Sequence, residues 1–244
     1  MHLRAQVALG DDHPLTLKVI APLAYAYNLT GRLDLSQRLC EEMFERMKTK
    51  LGDDHPKTGE IGSVLLVAYN SAGKYAQALP LAEALYKMAK VSFNDDHPTT
   101  LLRLNNLGQT HLHAGKYDLA LPILEESYQR HKVRFGDDHR ATVMSVNALA
   151  GTQQSLGQHE LAIQLWEETQ QHRKTALGEN NHLTLWVSSH LARSLLAVER
   201  FADAETLMRD CLPRWQRVQP DSWKHFYARS QLGSALLGQE KYDE

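Results

Sequence analysis

One six-residue string returns along this chain at a fixed interval. It reads Leu51-Gly52-Asp53-Asp54-His55-Pro56. The same pattern stands 42 residues earlier at Leu9-Gly10-Asp11-Asp12-His13-Pro14 and 42 residues later at Phe93-Asn94-Asp95-Asp96-His97-Pro98. It follows again as Phe135-Gly136-Asp137-Asp138-His139-Arg140, then as the worn Leu177-Gly178-Glu179-Asn180-Asn181-His182. Self-similarity at such a period marks an array in which each unit packs only on its neighbours. Complete units are expected at about 9–50, 51–92, 93–134, 135–176 and 177–217, with a partial one at 218–244. Residues 1–8 read as the end of a helix. An array that opens and closes inside a repeat is expected to be a piece of a longer protein.

Within each unit the apolar spacing is helical. Leu17, Ile20, Leu23, Ala24 and Tyr27 recur at three- and four-residue steps, and Leu39, Met43 and Met47 form a second stripe. Gly31, Gly73, Gly115 and Gly157 break the pattern where a left-handed cap ends a first helix. Glu199 takes that place in the fifth unit. Because a side chain raises the cost of this conformation, the fifth turn is expected to differ locally. Small residues recur at Ala24, Gly108, Ala150, Ala192 and Gly233 in first helices. They recur again at Ser36, Ala78, Ala120, Ala162 and Ala204 in second helices. Such pairs allow helix axes to approach toward the lower end of about 8–10 Å. Eleven helices and no sheet are expected.

The third unit carries Leu104-Asn105-Asn106-Leu107-Gly108, Gly115-Lys116-Tyr117-Asp118-Leu119-Ala120 and Phe135-Gly136-Asp137-Asp138-His139. This pattern resembles the 42-residue tetratricopeptide (TPR) repeats of kinesin light chains and of similar bacterial arrays, over nearly the whole chain. Leu66, His159, Arg140 and His182 depart from it at single positions. The resemblance implies an all-α fold. Antiparallel helix pairs stack into a right-handed superhelical solenoid, and its concave face is lined by the first helices and binds peptides. In that register the face presents Tyr25 and Asn28, then Ser63, Val67 and Asn70, then Asn105, Gln109 and His113. Asn147, Gly151 and Gln154 follow, then Trp186, Ser189 and Arg193, then Tyr227. An amide carries donors and an acceptor, so a ladder of them pairs with an extended backbone. Trp186, Tyr25 and Tyr227 add apolar anchors. The expected function is a scaffold that holds a peptide segment of a partner protein. The alternative is a structural or self-associating array with no dedicated ligand.

Other chemistries find little support. Net charge is −2, which gives no reason to expect nucleic acid or an anionic membrane as partner. No apolar run nears the roughly 18 residues of a membrane helix, and Met1-His2-Leu3-Arg4 lacks a signal-peptide pattern. Cys40 and Cys211 stand about four repeats apart, too far for a disulfide. Unpaired thiols predict a reducing, cytoplasmic setting. The Asp-Asp-His triplets hold metal-ligand types, but each precedes a helix, where acidic and polar groups satisfy free N–H groups and oppose the dipole. Threonines 16, 58, 100, 142 and 184 are placed to complete reciprocal caps. The basic runs Arg46–Lys50, Arg130–Arg134 and Arg173-Lys174 suit helix C-termini beside acidic loops. No zinc, phosphate-loop or nucleophile-elbow motif appears. Neither a metal, a cofactor nor an enzymatic activity is expected, and the oligomeric state is left open.

Overall fold

The computed structural model of the chain describes residues 14–53 and 55–241. Residues 1–13, which hold the first copy of the loop motif up to His13, lie outside the described residues with Asp54 and Tyr242, as do the side chains of Thr16 and Leu17. Eleven helices and no strand occur among the described residues. The first helices of the repeats are α1 (Pro14–Leu29), α3 (Pro56–Ser71), α5 (Pro98–His113), α7 (Arg140–Ser155), α9 (His182–Ala197) and α11 (Trp223–Gly238). The second helices are α2 (Leu33–Leu51), α4 (Tyr75–Ser92), α6 (Tyr117–Phe135), α8 (His159–Leu177) and α10 (Phe201–Val218).

The helices gather into two compact units, residues 1–123 and 124–244. In the first unit Ile20, Ala24, Cys40, Met43, Ile61, Leu65, Leu66, Ala78 and Leu85 close one core. In the second, Leu124, Ile163, Trp166, Leu185, Met208 and Trp215 are the bulkiest fully buried side chains. All the expected small residues but Gly233, which is exposed, are buried. Ala24, Ser36, Ala78, Ala120, Ala150, Ala162, Ala192 and Ala204 are all completely buried. Ser36 Oγ donates to the Ala24 carbonyl at 2.9 Å, fixing how a second helix crosses its own first helix. Gly62 in α3 serves the same end. A Cβ there would stand 2.8 Å from Leu85 and 2.9 Å from Phe44.

The loops refine the expected capping. The cap acceptor is the histidine, not a carboxylate. Nδ1 of His55, His97 and His139 accepts from the N–H two residues on, at 3.2, 3.2 and 3.1 Å. Asn181 and Ser222 do the same in the degenerate loops. The first aspartate of each triplet instead meets the lysine that ends the preceding helix: Lys48–Asp53, Lys90–Asp95 and Lys132–Asp137, at 3.5, 3.4 and 2.9 Å. Those same lysines lie over Phe44, Tyr86 and Tyr128, at 5.6–5.7 Å from the ring centroids. The threonines reach back rather than forward. Thr58, Thr100 and Thr142 donate to the carbonyls of Gly52, Asn94 and Gly136, six residues earlier.

The fifth turn does not differ. Glu199 adopts φ 60°, beside 68–75° at Gly31, Gly73, Gly115 and Gly157. The bond that closes it, Arg200 N–H to the Leu195 carbonyl at 3.0 Å, matches Lys116 N–H to His111 at 2.9 Å. The closing hydrogen bonds and the packed second helix hold a glutamate where glycine is the relaxed choice.

Candidate interaction surfaces on the first helices

In the first unit, α3 and α5 frame a groove of about 340 Å³. Leu66, Val67, Asn70, Ser71, Tyr75, Asn106, Gln109 and His113 line it. The lining of α5 is thus residues 106, 109 and 113, one helical face at steps of three and four. Val67, Asn70, Gln109 and His113, which the family resemblance assigns to the concave face, are among these lining residues. Asn105 is not. It is 2% exposed, because it falls on the stripe Leu101-Asn105-Gly108 that the helix buries. It presents no amide edge to a ligand. Asn106, one residue on, takes the groove position.

Asn70 is already engaged. Its Nδ2 donates to Thr110 Oγ1 at 3.0 Å, tying α3 to α5. Thr110 in turn donates to the Asn106 carbonyl at 2.8 Å. Two periods on, the second unit repeats the latch, with Gln154 Nε2 on Ser194 Oγ at 2.7 Å. One period before Asn70 stands Asn28, whose counterpart acceptor position is Ala68. Among the described residues both amide atoms of Asn28 are buried without a hydrogen-bond partner. The amides expected to form a ladder for a ligand therefore serve in part as ties between neighbouring first helices.

In the second unit the first helices carry rings. His190 stacks on Trp166 at 4.8 Å with a 10° interplanar angle. The edge of Trp186 meets it at 4.5 Å and 80°. Trp186 then contacts Trp223 at 5.1 Å and Tyr227 at 5.7 Å. Lys224 Nζ lies 5.1 Å from the Trp186 ring centroid. Burial, reinforced by Arg193 and Lys224, pushes the His190 imidazole down to about 4. Trp223 is largely exposed, Trp186 and Tyr227 are half-buried, and Arg193 is exposed. Ser189 is buried, while Gly151 is half-buried and Asn147 exposed. In the first unit Tyr25 is exposed and Ser63 half-buried.

Sequence reasoning passed over Leu102 and Met144, both exposed on first helices. They and Trp186 are spaced by 42 residues, so an apolar series at one repeat position was there to be read. Among the described residues no group of three or more His, Cys, Asp or Glu side chains is placed to hold a metal. No described helix is long and apolar enough to cross a membrane. Cys40 and Cys211 are free and buried, and burial pushes both thiols up to about 11.

Helix pairs capped alike and crossed alike at a 42-residue period define an α-helical repeat protein. The chain belongs to the tetratricopeptide repeat family, whose model matches residues 18–90, 65–132, 100–168 and 139–217. Its fold is similar to the kinesin light chain TPR-like repeats of Podosopora anserina, with TM-score 0.76 and 21% identity over 86% of this chain and 99% of that one. It is also similar to BtubC (BKLC) from P. vanneervenii, with TM-score 0.68 and 16% identity over 87% and 85% of the two chains. A Rap protein complexed with Competence and Sporulation Factor matches with TM-score 0.57 and 13% identity, over 98% of this chain and 69% of that one. No curated protein sequence matches the chain. Tetratricopeptide repeats are in general protein–protein interaction scaffolds.

Proposed function

We propose that this chain is an interaction module that holds an extended peptide segment of a partner protein against its first helices. The observation that carries this reading is the α3/α5 groove. It joins an apolar floor at Leu66 and Val67 to the polar groups of Asn106, Gln109 and His113. An extended peptide offers the complement, with backbone donors and acceptors at regular spacing and side chains alternating between faces. Tyr25, Asn147, Trp186 and Arg193 are further contact candidates in their own units, and Trp186 is of the type that anchors interfaces. Asn70 acts chiefly as framework through its bond to Thr110. The Rap protein in complex with its factor supports the reading, as a protein of similar fold that holds a ligand.

The test starts with a pull-down on the intact chain, followed by peptide mapping of what it captures. Isothermal titration then compares wild type with the double variant Gln109→Ala and His113→Ala. Two lost hydrogen bonds at about 0.5–1.5 kcal/mol each weaken binding roughly tenfold or more, at 1.4 kcal/mol per decade. Equal affinity with an unchanged melting curve sinks the groove assignment and leaves a purely structural array.

A further inference from the structure

A second groove, of about 420 Å³, opens in the second unit among α6, α7 and α8. Its floor is apolar. Leu149 of α7 and Leu165 of α8 are buried there, and Leu161 of α8 is 49% exposed. Leu161, Leu165 and Glu168 follow steps of four and three, so α8 turns one face to the groove. Above the floor stand acceptors: the carboxylates of Glu125 and Glu168 and the side-chain amide of Gln153.

These acceptors lack donors. Glu125 and Glu168 are exposed, and among the described residues neither forms an ion pair. The neighbouring cations are engaged elsewhere, Arg130 with Glu126 at 3.0 Å and Lys132 with Asp137 at 2.9 Å. Glu126 stands one period before Glu168 and is paired with the residue four places on. The residue four places after Glu168 is His172, and its Nε2 faces Asp137 instead, at 3.8 Å. Gln153 adds an independent sign. It is only 8% exposed, and its Oε1 is buried without a hydrogen-bond partner among the described residues. Leaving a buried acceptor unpaired costs stability. Carboxylates without a counterion and an amide oxygen without a donor are met together by one cation that carries several N–H groups.

We propose that the groove among α6, α7 and α8 docks a partner protein through an arginine side chain flanked by apolar residues. A guanidinium presents its donors in a rigid plane that matches carboxylate and amide oxygens. It is also more weakly hydrated than a lysine ammonium, so it enters a half-apolar site at lower cost. Its methylene stem and the flanking apolar side chains rest on Leu161 and the leucine floor. This surface is built mainly on second helices, so it stands independently of the α3/α5 groove.

The probe is a synthetic peptide, acetyl-Gly-Leu-Arg-Leu-Gly-amide, titrated against the intact chain and read by NMR at the backbone amides of residues 153 and 168. Saturable shifts at both are expected. Citrulline in place of the arginine, close in shape but uncharged, abolishes them, and lysine weakens binding. The double variant Glu125→Gln and Glu168→Gln binds roughly tenfold more weakly or worse, the scale of a lost charge-assisted hydrogen bond. Its melting curve is retained, because both side chains are exposed and unpaired. Gln153→Met removes the acceptor at similar volume, and it weakens binding without lowering the melting temperature. The double variant Gln109→Ala and His113→Ala binds the peptide as wild type does, which separates this surface from the α3/α5 groove. Absence of saturable shifts overturns the proposal, as does unchanged affinity in either the carboxylate variant or Gln153→Met. A lysine or citrulline peptide that binds as tightly overturns the guanidinium assignment. Free arginine that binds as tightly as the peptide overturns the assignment to a partner protein.

Discussion

The groove between α3 and α5 and the ring cluster on α9 and α11 are built from one repeat frame. Val67, Gln109 and Arg193 share a repeat position, and so do Leu102, Met144 and Trp186. Yet the first surface is edged with amides and tied by Asn70 on Thr110. The second is a chain of stacked and edge-on rings that runs from buried Trp166 to exposed Trp223. The frame decides where a side chain stands, and the residue occupying that place decides the chemistry. Stability also rests on different terms in the two places. In the first it rests on a hydrogen bond worth about 0.5–1.5 kcal/mol. In the second it rests on aromatic burial, whose loss costs several times more.

That contrast is broken most directly by truncation. Trp166→Ala is expected to cost about 3–5 kcal/mol, against about 1 kcal/mol for Asn70→Ala. Denaturant unfolding of both variants checks it. Equal losses would mean that the ring cluster contributes no more than the latch.

Acid sharpens the comparison next. The His190 imidazole is pushed down to about 4, so the folded chain binds its proton less readily than the unfolded chain, where histidine titrates near 6.5. Above that value both states are neutral and His190 adds no pH dependence. As pH falls from about 6.5 to 4 the unfolded state takes up the proton first, and stability drops with it. The full difference is about 3 kcal/mol at 1.36 kcal/mol per unit. Burial shifts His111 in the first unit and His131 in the second the same way. Melting curves across this window should flatten in His190→Gln. A slope identical to wild type would remove His190 from the account.

The turns offer a third comparison. Gly115 has φ 71° and open space around it, so Gly115→Val tests backbone strain alone and is expected to cost about 1–3 kcal/mol. Glu199 holds the same conformation with a side chain, so Glu199→Gly should stabilise by about 1 kcal/mol. Melting temperatures that move in the same direction would contradict the shared geometry.

The smallest effect extends the latch. Ala68→Ser supplies the acceptor that Asn28 lacks, placed as Thr110 is for Asn70. It should stabilise by about 0.5–1.5 kcal/mol, and the gain should vanish when Asn28→Ala is added. Additive effects in that double-mutant cycle would mean the two side chains do not meet.

The linear order of residues settled a large part of this. A 42-residue period, a turn glycine and alternating small residues determine that helices pair and stack, because no single pair can bury its own apolar stripe. The expectation that Val67, Gln109 and His113 share one face comes from the family resemblance, and in the structure they line one groove. Which groups partner which could not be read that way. Asn105 and Asn106 are adjacent and chemically identical, but a 100° step around the helix buries one in a stripe and leaves the other in the groove. The Asp-Asp-His triplet offered three cap candidates, and only the fold shows imidazole Nδ1 taking the cap while the carboxylate turns to lysine. His190, between Trp166 and Trp186, draws its character from residues 24 and 4 positions away. Helix periodicity is a local property and can be read along the chain. Burial and hydrogen-bond partnership are set by what packs alongside, and for these residues only the tertiary structure decided them.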